Sequence, residues 1–165
     1  MLAKAEVPLD AETKVSEAPQ DHKQELRLWL RLLTCTNLVD TEIRRQLRQR
    51  FDTTLPRFDL LAQLERASEG MTLGEVSKRM MVSNGNITGL VERLVELGQI
   101  ERWSLPQDRR VQIIRLTAAG REEFSRMAVE HEAWVAEMFA GLSANEINTL
   151  LKLLGKLKQS TSATI

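Results

Sequence analysis

The run TLGEVSKRMMVSNGNITGLVERLVELGQIERWSLPQDRRVQIIRLT, residues 72–117, leaves this chain few folds to choose from. Thr72 followed three residues later by Glu75 is a capping box, and Met71 and Val76 on either side can close a hydrophobic staple, so a helix starts there. Ser83 is a second N-cap, with Val82 and Ile87 in the staple positions. From there Ile87, Leu90, Val91, Leu94 and Val95 recur at helical spacing until Gly98, which stands where a glycine C-cap belongs. Two helices joined by about four residues, the second strongly amphipathic, predict a helix-turn-helix.

Projected at about 100° per residue, the apolar side chains of the second helix share one face. The opposite face carries Gly85, Thr88, Gly89, Glu92 and Arg93. A glycine inside a helix costs roughly 1 kcal/mol relative to alanine, so two of them at i and i+4 are a poor choice for a merely solvated surface. A helix without side chains on that stripe can approach another backbone closely. Ser83, Asn84 and Asn86 in the first turn bring hydroxyl and amide groups, and the free N–H groups there suit a phosphate. The bland alternative is an ordinary surface helix with turn-like residues at its start.

The segment after this helix weighs against that alternative. Residues 99–104 and 111–116 are short β-type runs, interrupted by Pro106, Gln107 and Asp108 and a loop ending in Arg109 and Arg110. Paired strands would carry those arginines on a protruding hairpin, a wing, and arginine at such a tip suits a narrow minor groove where negative potential is focused. Asp108 has no evident use against DNA, so it is expected to pair with an arginine and fix the hairpin. A plain surface ion pair there would be worth at most about 1 kcal/mol.

The run DRRVQIIRLT, preceded by SNGNITGLVERLVELG, resembles the MarR family of winged helix-turn-helix repressors. That family's wing signature, Asp-x-Arg followed at fixed distance by Leu-Thr, falls here on Asp108, Arg110, Leu116 and Thr117. The likeness reaches helices on both sides, from about residue 24 to residue 158. It implies a homodimer, a palindromic operator, and release of DNA when a small aromatic ligand or an oxidant acts. The fold expected is mainly α with a small β-wing, a winged helix-turn-helix in an intertwined homodimer. Residues 1–21 would be a flexible tail, 22–55 a dimerisation helix, 56–117 the DNA-binding domain and 118–160 the C-terminal dimerisation helices.

Charge fits only when read locally. The 165 residues balance 23 basic against 23 acidic side chains. Residues 1–25 hold three basic and six acidic side chains, 43–57 five and one, and 71–117 seven and five. Local basic patches set the phosphate-contact term, whatever the total. One cysteine excludes a disulfide within the chain and fits a reducing cytoplasm. No apolar run approaches the ~20 residues of a membrane span, and the acidic start lacks the apolar core of a signal peptide.

A long helix is expected over residues 22–51, apolar around more than half its circumference, so it must be covered from two directions, by its own subunit and by a partner. Beyond residue 117, Phe124, Met127, Ala128, His131, Trp134, Val135 and Met138 form one stripe, and Ser143 with Glu146 caps a last helix carrying Ile147, Leu150, Leu151, Leu154 and Leu157. These helices bury little alone, and interlocking with a second copy is the natural solution. Between them, residues 55–67 form a helix opened by Pro56, with Phe58, Leu61 and Leu64 inward.

Along the first helix Leu26, Leu30, Leu33 and Asn37 share a line with Arg44 and Arg48. An apolar strip ending in cations suits a ligand with an aromatic end and an anionic end. The segments LRLWLRLLTCTNLVD and RRQLRQRFDTTLPRFDLLAQL are similar to the MarR subgroup that answers to hydroxycinnamoyl-coenzyme A thioesters, the CouR and FerC type. That likeness implies Trp29, Leu33 and Phe58 around the phenylpropenoyl part and arginines such as Arg44, Arg48 and Arg57 on the coenzyme's phosphates. The alternative is that the arginines are a solvated helix end complementing its dipole.

Cys35 could be a peroxide sensor or a target for a thioester, but the sensing branch of the family stabilises its thiolate with tyrosine hydroxyls, and this chain has no tyrosine. A small buried packing residue is the expectation. His22 and His131 lie far apart without ligand-spaced partners, and no phosphate loop or serine nucleophile motif occurs. Neither an enzyme nor a bound cofactor or metal is expected. A dimeric scaffold without DNA would have no use for the glycine stripe and the arginine wing.

Overall fold

The computed structural model describes residues 24–80 and 84–163. Helix α1, Gln24–Phe51, contains neither proline nor glycine and is rich in leucine, arginine and glutamine, all strong helix formers. It ends at Asp52, whose φ of +48° is left-handed, a conformation that aspartate tolerates better than most side chains. The chain turns into α2, Leu55–Glu65, with Pro56 in its first turn and the Thr54 carbonyl accepting from the N–H groups of Arg57 and Phe58 at 3.0 Å.

Helix α3, Leu73–Met80, opens on the expected capping box: the Thr72 N–H and hydroxyl both donate to the Glu75 carboxylate at 2.8 Å, and the Glu75 N–H donates back to Thr72 Oγ1 at 3.2 Å. Helix α4, Asn84–Glu96, comes next. Its expected cap, Ser83, lies outside the described residues. Gly98 closes it at a φ of +68°.

Strands β2, Ile100–Ser104, and β3, Gln112–Leu116, pair antiparallel with Arg102 opposite Ile114. A strand that the sequence pattern does not display, β1 at Met71–Thr72, adds to the far side of β3, so the sheet order is β1-β3-β2. Gly70 makes that approach possible. Its φ is +86°, and a Cβ there would lie 2.7 Å from the Ile114 carbonyl oxygen.

One core joins these elements. Ile43 and Leu47 of α1, Phe58, Leu60, Leu61 and Leu64 of α2, Val76 of α3, Ile87, Val91 and Leu94 of α4, and Ile100, Ile114 and Leu116 of the sheet are all buried. Phe58 packs its ring against Phe124 at 5.5 Å. Val95, expected on the same apolar face of α4, is 37% exposed on its flank.

Helix α5, Ala118–Met138, is tied to the hairpin by Thr117. The Thr117 N–H donates to Gln99 O at 3.1 Å, its hydroxyl donates to Gly98 O at 2.6 Å, and its oxygen accepts from the Gly120 N–H at 3.0 Å. The threonine of the wing signature is therefore a helix N-cap and a staple across the base of the hairpin.

The chain divides into two compact units, one ending at Met127 and one beginning at Ala128. In the second unit His131 stands edge-on to Trp134 at 6.4 Å, and burial pushes the His131 pKa down. Helix α6, Ala144–Ser162, has the expected Ser143 and Glu146 capping box and no buried residue. No helix among the described residues is long and apolar enough to cross a membrane.

Candidate nucleic-acid interface

Ile87, Val91 and Leu94 pin one face of α4 into the core, which fixes what the other face offers. Gly85, Asn86, Thr88, Gly89, Glu92 and Arg93 are exposed. A Cβ built on Gly85 or Gly89 would meet nothing within 4 Å, so packing inside the subunit does not require either glycine. Both accept the helix penalty and leave the stripe open to something outside the chain. Asn84 begins the helix, and the N–H groups of its first turn point out of the helix end.

The wing is built as the sequence predicts. Asp108 accepts from the Arg110 N–H at 3.0 Å and from its guanidinium at 3.1 and 3.3 Å, and these bonds hold the Asp108 carboxyl below the usual carboxylate range. The Arg110 side chain is nevertheless 91% exposed, and Arg109 beside it is exposed too. Behind the tip, Gln112 donates to the Ser104 hydroxyl at 2.7 Å. On the stem Arg115 pairs with Glu101 at 2.7 Å and lies over the Trp103 ring at 5.4 Å.

Arg93 has a second role that the sequence does not display. It donates to Glu96 at 3.0 Å and lines a cleft of about 390 Å³ with Phe51, Asp52, Arg57, Leu97, Glu123 and Met127. The expected ligand residues are only partly brought together. Arg57 lines this cleft, but Phe58 is 6% exposed and closed into the core by Phe124. Trp29 is 57% exposed, and at about 1.5 Å per residue it lies roughly 28 Å along α1 from Arg48. Leu33 and Asn37 are exposed on the same uncovered half of that helix. One subunit therefore does not assemble Trp29, Leu33 and Phe58 into a single pocket. Arg44 is engaged by Asp40 and Arg45 by Glu42, one helical turn away in each case, while Arg48 is exposed. Cys35 corrects another expectation: it is exposed, not a buried packing residue.

Two helices separated by three residues, the second offering a bare stripe, followed by a hairpin with an arginine tip, define a winged helix-turn-helix DNA-binding protein. The MarR family profile matches residues 53–111. The transcriptional activatory protein BadR of Rhodopseudomonas palustris is 30% identical over 148 residues, 84% of each chain. A serine-for-cysteine mutant of MarR from E. coli, solved with operator DNA, superposes at a TM-score of 0.71 with 27% identity, over 84% of this chain and 99% of that one. FabT of Streptococcus pneumoniae, also solved with DNA, gives a TM-score of 0.71 at 30% identity, over 86% of this chain and 100% of that one. The chain belongs to the MarR family, and it is a DNA-binding transcriptional regulator, not an enzyme.

Proposed function

We propose that the chain works as a homodimeric repressor in the cytoplasm, bound to a palindromic operator and released from it by a small aromatic ligand. The ligand we favour is a hydroxycinnamoyl-coenzyme A thioester such as p-coumaroyl-CoA, which would give the protein control over aromatic acid catabolism. The observation that carries the DNA half of this reading is the pair Gly85 and Gly89, open on the outward face of a helix whose other face is buried. Two copies of α4 would enter successive major grooves about 34 Å apart, with the wings on the flanks. Ser83, Asn84, Asn86 and Thr88 are the side chains we assign to base edges, and Arg109 and Arg110 to the wing's contact with the minor groove and the phosphates that flank it.

The dimerisation helices would be 22–55 and 118–160. Leu26, Leu28, Trp29, Leu33 and Leu38 of α1 and Leu150, Leu151, Leu153, Leu154 and Leu157 of α6 are exposed in one subunit, and such runs of apolar side chains along single helices mark an interaction surface. A ligand at the joint between these helices and the reading heads would alter their spacing, and a coupling of only about 1–3 kcal/mol changes affinity roughly 5- to 150-fold. Arg48 and Arg57 are the cations we assign to the coenzyme's phosphates.

The cleft beside Arg57 favours a second reading, a free phenolic acid as effector. At about 390 Å³ it takes one aromatic ring and a carboxylate, but not the nucleotide and pantetheine of a thioester. A gel shift on the duplex upstream of the gene decides between them. Loss of the complex with p-coumaroyl-CoA and not with p-coumarate supports the thioester, the converse supports the free acid, and no shift of any duplex at low salt removes the regulator reading. Equal operator binding by reduced and peroxide-treated protein would dismiss an oxidant acting through Cys35. Transcription of the adjacent gene with and without the protein reads the sign of regulation, which matters because BadR is named for activation.

A further inference from the structure

The reading head, residues 71–117, has seven basic side chains, and the structure sorts them into two groups. Arg93, Arg110 and Arg115 are neutralised inside the chain by Glu96, Asp108 and Glu101. Lys78, Arg79, Arg102 and Arg109 are exposed, and among the described residues none of the four makes a hydrogen bond or close ion pair, although Arg79 stands near enough to Glu75, one turn back, to help hold that carboxyl down. Of the acidic side chains in the same stretch, Glu75 is committed to the α3 capping box, which leaves only Glu92 exposed without a partner among the described residues. The near-neutral sum of seven basic and five acidic residues therefore conceals an excess of bare positive charge.

Its placement is specific. Lys78 and Arg79 occupy the last turn of α3, the helix that precedes α4 in the chain. Arg102 sits in the middle of β2 opposite Ile114, and Arg109 sits at the hairpin tip. The four cations thus bracket α4 in the chain, two on the helix before it and two on the wing after it. In a helix-turn-helix the first helix crosses the sugar-phosphate backbone while the second enters the groove. A cation already paired with a carboxylate brings no net charge to that backbone, whereas an unpaired one releases a condensed counterion.

We propose that Lys78, Arg79, Arg102 and Arg109 form the phosphate clamp of this protein, supplying its salt-dependent and sequence-independent affinity for duplex DNA. The ion pairs of Arg93 and Arg115 then set the shape of helix and wing stem, and that of Arg110 fixes the hairpin tip from which its exposed side chain reaches the minor groove. The inference rests on the proposed binding of duplex DNA by a dimer, and it assigns the charge within that contact.

The test is the dependence of affinity on salt, measured on the upstream duplex and on an unrelated duplex, for wild type and for Lys78→Gln, Arg79→Gln, Arg102→Gln and Arg109→Gln. Each substitution occurs twice in the dimer, so each should make the slope of log K against log[salt] shallower by about 1.8, on both duplexes alike. Arg121→Gln, which removes a cation paired with Glu65 outside the head, should leave the slope where it was. All four positions are exposed, and unchanged unfolding midpoints would confirm intact folding. Wild type that binds with a salt dependence the four variants do not reduce overturns the clamp alone, as does an equal effect from Arg121→Gln. Wild type that binds no duplex at low salt overturns the regulator reading and the clamp with it.

Discussion

Three glycines separate what the fold needs from what the function needs. A Cβ on Gly120 would lie 1.8 Å from the carbonyl oxygen of Gln99, in the contact that joins the hairpin to α5, and neither partner is the loose end of a side chain. Gly120→Ala should therefore cost about 3 kcal/mol, the upper range for overpacking, visible as an earlier urea midpoint. Gly85 and Gly89 face open space, and alanine at either should stabilise α4 by up to about 1 kcal/mol. The same substitutions should weaken operator binding, since each adds a methyl group to the surface we assign to DNA. Opposite signs in the urea melt and the gel shift are the expected result; a stabilised variant with undiminished operator affinity would mean that the stripe does not face the groove.

Between elements, the joint of α1 and α2 carries a titrating group. Asp59 is half-buried, and desolvation pushes its carboxyl above the ordinary value of 3.8, with Arg44 opposing the rise and Asp40 adding to it. The folded chain thus holds this proton to a higher pH than the unfolded chain does. Stability from this group falls as pH rises from the unfolded value through the raised folded one, and the penalty persists at neutral pH. Asp59→Asn should move the urea midpoint up at pH 7, with the gain shrinking as pH falls toward about 4 and gone below it. A gain that does not vary with pH would assign the effect to packing. At the other end of the chain Ser143→Ala opens the α6 capping box and should cost about 1 kcal/mol of helix stability, read as lost helicity on warming. These capping boxes were legible in the sequence because each is a local agreement among four residues, and so was the Asp108 clamp on Arg110. Strand β1 was not: it is two residues long and exists only by pairing Met71 with Ile114, far along the chain. The closure of Phe58 by Phe124 and the exposure of Cys35 were hidden for the same reason, since periodicity gives a face but not what covers it.

For the molecule as a whole, α6 poses the sharpest question, because a helix with no buried residue and five exposed leucines between Leu150 and Leu157 contributes nothing to its own subunit's core. Either it is solvated at considerable cost, or a second copy covers it. Leu150→Glu combined with Leu154→Glu distinguishes the two without touching the reading head. If the helix is the dimer seam, sedimentation at micromolar concentration should find monomers, while unfolding of the unit ending at Met127 keeps its midpoint, since no core residue is lost. Binding to a full palindrome should then drop by about 10²- to 10⁴-fold, because the second head no longer arrives at high effective concentration. Binding to a duplex holding one half-site should change little, because a single head makes the same contacts either way. A variant that stays dimeric, or one that becomes monomeric and still holds the palindrome with undiminished affinity, would place the pairing of heads elsewhere in the chain.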